Sequence, residues 1–164
     1  MNAHIQTHAI THDVQAQKIV QKWHNFLSSI SDWQILIKDI QPQKCGCGLV
    51  YEIPNPISAA NESFAIADMR NLAFSEPHYH PETEIYFILQ GSGLVVVGGQ
   101  EIAVQKGSVV IIASNIAHFT IPEKDLVMAV VNTPSFKPEN YYPLNTHNPA
   151  VKFDKQQFDR LVSQ

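Results

Sequence analysis

Two imidazoles and a carboxylate, His78, His80 and Glu84, stand at even spacing in Glu76-Pro-His-Tyr-His-Pro-Glu-Thr-Glu-Ile-Tyr-Phe-Ile-Leu-Gln-Gly91. Side chains alternate between the faces of a strand, so residues of one parity share a face. If the Pro81-Glu82-Thr83 step stays extended, all three groups converge on one small volume. Borderline nitrogen donors with one hard oxygen donor make a ligand set for a first-row transition metal. Farther on, Gly107-Ser-Val-Val-Ile-Ile-Ala-Ser-Asn-Ile-Ala-His118 reads as a strand, a turn and the start of a new strand, and offers His118 as a fourth donor. The bland alternative is a set of core histidines with a glutamate in a salt bridge. Without an ion, however, three buried imidazoles and a carboxylate need several hydrogen-bond partners or a change of protonation, whereas one divalent cation satisfies all four.

The neighbours of these donors follow from the same parity. Tyr86 and Ile88 are expected to point inward with Glu84, and Ile85, Phe87 and Leu89 outward. Tyr86 either donates a hydrogen bond to a molecule held at the metal or only fills the interior. Arg70 continues the parity of Phe64, Ile66 and Asp68. It either enters the interior, where a lone guanidinium suits a carboxylate or phosphate, or pairs at the surface with Asp68 or Glu76. Tyr86 and Arg70 are therefore the candidate catalytic residues. Thr120, with the parity of His118, is expected to line the cavity, and Tyr79 and Phe119 to point away. Glu82 has the ligands' parity but lies in the loop, and is expected to face solvent.

The two segments resemble the paired signatures of the cupin superfamily, written G-x5-H-x-H-x3-4-E-x6-G and G-x5-P-x-G-x2-H-x3-N. His78, His80, Glu84 and Gly91 match the first, and Gly107 and His118 the second. The departures are Leu72, Ala113, Asn115 and Pro122, none of which removes a donor atom. Asn115 can take the left-handed turn conformation that glycine would supply. The resemblance covers roughly residues 64 to 135. It implies a small single-domain cupin: an all-β, double-stranded β-helix (jelly-roll) barrel. It also implies one divalent metal ion, iron or manganese first, with zinc, nickel or copper permitted by the ligand types. Three imidazoles and one carboxylate leave coordination positions open, as a catalytic site requires. A metal-dependent enzyme acting on a small oxygen-bearing metabolite follows, with dioxygenase-type chemistry as the first expectation. Metal-assisted isomerase, lyase or decarboxylase chemistry is an alternative, as is a non-catalytic small-molecule-binding cupin, since fold does not choose among them.

Composition is consistent with one domain. The chain has 164 residues, 45% hydrophobic and 16% charged, with a formal net charge of −4. That balance argues against a nucleic-acid partner, which requires a positive surface to displace counterions from phosphate. No run approaches the ~18 apolar residues of a membrane span. The N-terminus lacks a basic region followed by an apolar one, so a cytoplasmic location is expected. No nucleophile elbow, phosphate-binding glycine loop or dinucleotide fingerprint appears, so any chemistry falls to the ion. The two cysteines, Cys45 and Cys47, sit in Lys-Cys-Gly-Cys-Gly. A bridge between residues so close would be strained; they read as a reduced pair in a turn, with a functional thiol pair as the lesser alternative.

Along the chain, residues 1–12 form a polar tail in which His4, His8 and His12 recur four apart. Residues 13–48 are expected to be a helical extension. Ile19, Val20, Trp23, Phe26, Leu27 and Ile30 recur at helical spacing there. Residues 49–135 break into short β-rich runs separated by turns at Gly91-Ser-Gly93, Gly98-Gly99, Lys106-Gly107, Ser114-Asn115 and Pro122–Asp125. Pattern alone reaches an antiparallel barrel or sandwich. Residues 136–164 are expected to be a strap over the barrel and a short helix opened by Asp154. The apolar outward face around Phe87 must be covered, by the N-terminal helix or by a second subunit, and a homodimer is expected.

Overall fold

The computed structural model describes residues 36–53, 61–144 and 151–163. The expected helix over 13–30, the histidines of the polar tail and His147 lie outside the described residues. Among the described residues, nine strands make one curled antiparallel sheet: β1 (Gln43–Cys45), β2 (Gly48–Ile53), β3 (Ser63–Asp68), β4 (His78–Tyr79), β5 (Thr83–Val97), β6 (Gln100–Gln105), β7 (Val109–Ile112), β8 (His118–Thr133) and β9 (Tyr142–Pro143). One helix, α1 (Lys155–Val162), follows. This is the all-β, cupin-type architecture that the motifs implied.

The long strands β5 and β8 run antiparallel from Thr83↔Thr133 to Val97↔His118 and hold the sheet together. The first half of β5 also pairs with β7 and its second half with β6. The far half of β8 pairs with β3, while its first residue, His118, pairs with His78 of β4. Each long strand is thus shared between two sets of neighbours, and the sheet must curl to accommodate both.

This departs from the pattern reading, in which Gly91-Ser-Gly93 and Pro122–Asp125 are turns that divide shorter strands. The two segments are instead irregular crossings within continuous strands, with register shifts between Ile88 and Gly93. Gly91 makes the crossing possible. Its φ is +77°, and a side chain there would run into the Lys124 carbonyl oxygen and the Asp125 backbone.

The inward side of β5 before the crossing carries Glu84, Tyr86 and Ile88, all buried, while Phe87 and Leu89 are exposed. Ile88 meets Val95, Val110, Ile112, Leu126 and Met128 in the principal core. On the outside of the barrel, Phe158 of α1 packs edge-on against Phe74 and Phe119, at centroid distances of 5.3 and 5.1 Å. Asp154 caps the helix by accepting from the backbone N–H groups of Gln156 and Gln157. Phe119 therefore points away from the barrel interior.

Candidate metal centre

His78 and His118 are a directly paired couple of β4 and β8, and cross-strand partners project to the same side. His80 follows β4 by one residue, and its carbonyl accepts from the N–H of Asn115 at 2.8 Å. Asn115 has φ +60°, the left-handed conformation expected of it. Glu84 enters two positions into β5. The structure brings together one ligand atom from each of His78, His80, Glu84 and His118, all within 4.8 Å of one another and all buried.

The rings are oriented for an inward-facing Nε2. Nδ1 of His78 lies 2.8 Å from the Glu76 carbonyl, and Nδ1 of His118 lies 2.8 Å from the Ile116 carbonyl. Both carbonyls are acceptors, so each Nδ1 carries the proton and each Nε2 keeps a free lone pair. Nδ1 of His80 lies 3.2 Å from Oε2 of Glu82, at ion-pair distance but off the angle of a hydrogen bond. Glu82 is 1% exposed, which corrects the solvent-facing expectation; its other oxygen accepts from Nδ2 of Asn140 at 2.6 Å. Oε1 of Glu84 accepts from Nδ2 of Asn132 at 3.1 Å, leaving Oε2 to face the imidazoles.

What remains is a set of buried atoms with no hydrogen-bond partner among the described residues: Nε2 of His80 and His118, Oε2 of Glu84, and the His80–Glu82 pair. Oε2 of Glu84 stands 3.1 Å from Nε2 of His118 and 3.5 Å from Nε2 of His80. Adjacent ligands at ~2.1 Å from one ion are ~3 Å apart. The donor set therefore fits a divalent transition metal, and three of the orphaned atoms, Nε2 of His80 and His118 and Oε2 of Glu84, are among those that would meet it. The electrostatics of His78 agree. Burial, reinforced by His118 and His80, pushes His78 down to about 3, so its ring is neutral and available as a ligand. Without an ion, burial works to raise Glu84, but the His118 and His80 imidazoles, when they carry a proton on Nε2, hold it well below the usual carboxylate range.

A cavity of about 340 Å³ opens beside these donors. Its walls include Ala67, Met69, Met128 and Val130, and Tyr86, Thr120 and Asn132 also line it. Burial, with the Glu84 carboxylate beside it, pushes the Tyr86 phenol well above its ordinary value. The strap closes one side: Tyr141 stacks on His78 at 4.5 Å, and Phe136 meets His80 edge-on at 5.7 Å. Arg70 is not brought to the cavity. Its guanidinium is half exposed and forks onto Asp68, with Nε 2.9 Å from Oδ1 and Nη2 2.5 Å from Oδ2. β3 ends at Asp68, so strand parity no longer governs Arg70.

Sequence reasoning missed Asn132, Asn140 and Tyr141 and misplaced Glu82. A signal existed for Glu82: it keeps the ligands' parity, and a buried His80 requires an acceptor for its second nitrogen.

A family model described as "Cupin domain" matches residues 71–132. No curated protein matches the chain. Solved structures share the fold. One is Streptomyces Pac13 with uridine, 7% identical, covering 73% of this chain and 97% of that one at a TM-score of 0.59. Another structure of Pac13 describes it as a nucleoside dehydratase. A protein from Planctomyces limnophilus is 18% identical, covering 70% of this chain and 98% of its own at a TM-score of 0.60. A variant of the oxalate decarboxylase of Bacillus subtilis is 22% identical at a TM-score of 0.60; the match takes in 74% of this chain and 35% of that longer one.

Proposed function

We propose that this chain, a small protein of the cupin superfamily, is a metal-dependent enzyme acting on a small oxygen-bearing molecule. A single observation carries the proposal: four buried donors converge with unpartnered atoms on the edge of a largely apolar cavity. His78, His80, Glu84 and His118 would hold the ion, and iron or manganese is the first choice. When bound, such an ion polarises a substrate oxygen or activates dioxygen.

The chain's own residues define what else the site does. Tyr86 is a neutral phenol at neutral pH and can donate a hydrogen bond into the cavity beside Glu84. Asn132 holds the Glu84 carboxylate in one orientation, and Glu82 does the same for the His80 ring. The apolar walls exclude water from the reacting end of the substrate. Among the described residues, no lysine or arginine lines the cavity, so the oxygen end of a substrate would go to the ion held by the four donors, with an apolar body against Met69 and Met128.

Dioxygenase-type chemistry is the first reading of the reaction, because the open donor set admits dioxygen beside a substrate. Lyase or decarboxylase chemistry is the second. It is favoured by two fold neighbours described as a nucleoside dehydratase and an oxalate decarboxylase, with Tyr86 as a neutral hydrogen-bond donor to a substrate oxygen. Metal analysis of protein purified without added metal tests the common premise. About one ion per chain is expected, lost in both His78→Ala and His118→Ala; retention in both variants refutes the site. Oxygen uptake that requires Fe(II) and a catechol- or diketone-type substrate supports the first reading, and anaerobic turnover with Zn(II) the second. Tight ligand binding without turnover under any metal refutes catalysis.

A further inference from the structure

The hairpin between β1 and β2 places a second reactive group on the wall of the same cavity. Its turn is Cys45-Gly46-Cys47-Gly48, with Cys45 paired to Gly48. Both cysteines are free and both line the cavity wall; Cys45 is exposed and Cys47 half-buried. The backbone N–H of Cys47 points at Sγ of Cys45 from 3.2 Å, a contact that stabilises a thiolate. The hairpin is fixed to the barrel, because the N–H of Glu76 donates to the Gly46 carbonyl at 3.0 Å. Space between the two cysteines is tight: a Cβ on Gly46 would stand 3.0 Å from Cβ of Glu76. Gly48, at φ +107°, completes the tight turn.

We propose that Cys45 and Cys47 form a redox-active dithiol at the cavity rim, which passes reversibly into an intramolecular disulfide by exchange with low-molecular-weight disulfides of the glutathione type. The asymmetry of the pair sets the order of events. Cys45, the exposed thiol, is lowered to about 6 by its hydrogen bond with Cys47 and is the attacking thiolate. It displaces one glutathione thiolate and forms a mixed disulfide. Cys47, raised by its partner and by burial, then loses its proton to that released thiolate. Its sulfur attacks Sγ of Cys45 and expels the second glutathione. Two protein thiols are oxidised, one small disulfide is reduced to two thiols, and no other reductant or oxidant enters. Strain in so short a ring makes the bridge readily reduced, and labile bridges of this kind are the regulatory or catalytic ones.

The test is anaerobic equilibration of the full-length protein in buffers of graded reduced-to-oxidised glutathione, followed by acid quench, alkylation and intact-mass measurement. The expected result is loss of both alkylatable thiols together, with no glutathione retained and no change in chain number, and full return in excess reduced glutathione. Cys47→Ser should instead stop at one glutathione per chain on Cys45. That adduct should form at least tenfold faster at pH 7 than the one on Cys47 in Cys45→Ser. Survival of both thiols in excess oxidised glutathione overturns the proposal. So does a wild-type end state of one bound glutathione or of disulfide-linked chains.

Discussion

Glu82→Gln isolates a residue that touches no ion yet should govern its binding. The Glu82 carboxylate is buried and faces two donors: Nδ2 of Asn140 at 2.6 Å and Nδ1 of His80 at 3.2 Å. A glutamine keeps the shape but has one acceptor oxygen, and its amide nitrogen must face one of these donors. If the nitrogen faces Asn140, two donors oppose each other unless the Asn140 amide turns over to present Oδ1. If it faces His80, the imidazole moves its proton to Nε2, the nitrogen the ion needs. Loss of such an orienting partner typically costs 10- to 100-fold in metal affinity, about 1.4–2.7 kcal/mol.

Competition of the purified protein against a chromophoric chelator, with Mn(II) or Zn(II) at pH 7, measures the loss directly. The geometry also predicts a rescue. In Glu82→Gln with Asn140→Asp, the new carboxylate accepts from the glutamine nitrogen and the glutamine oxygen accepts from His80. Most of the lost affinity should return, with the local charge unchanged. A single variant within threefold of wild type would refute the reasoning, and so would a double variant no better than the single one.

Three further outcomes are expected. First, the metal-free protein should lose stability in acid. His78 stands at about 3 when folded against an ordinary 6.5, so this contribution is complete above 6.5 and lost as pH falls toward 3, by about 3 kcal/mol at pH 4.5. Glu84, held low, acts in the same direction, while His80, raised because Glu84 and Glu82 outweigh its burial, acts in the opposite one. Urea melts of chelator-treated protein at pH 4.5 and 7.5 check the sign, and a flat profile contradicts it. Second, Gly91→Ala should cost about 3 kcal/mol in the same assay, combining a left-handed backbone with a collision against the Lys124 carbonyl; a cost under about 1 kcal/mol would mean that the β5–β8 crossing relaxes freely. Third, Phe87, Val109 and Ile111 make an exposed apolar patch, at 45, 56 and 67% exposure, and a second copy of the chain is its proposed cover. Light scattering should find a dimer that Val109→Asp with Ile111→Asp dissociates without loss of metal; a monomeric wild type would contradict this.

How far the site could be read in advance depends on how far local periodicity reaches. Inside β5 the period of two holds from Glu84 to Ile88, and Tyr86 faces inward as parity requires. Beyond Ile88 the register shifts break it, and the buried positions pass to Gly93 and Val95, so no parity argument carried through Gly91. At Arg70 the surface-pair alternative is the one realised: its strand has ended, and the carboxylate of Asp68, two residues back, captures it. The cavity walls come from β2, β3 and β8, which no local pattern brings together. A different question recovers part of what parity lost: which acceptor does each ring nitrogen find? His78 and His118 both reach back two residues, to the carbonyls of Glu76 and Ile116. His80 instead has Glu82, two residues ahead, beside its Nδ1. A glutamate two positions from a buried histidine, at the histidine's own parity, is thus better read as its orienting partner than as a loop residue turned to solvent. The proton demand of the ring supplies the reason.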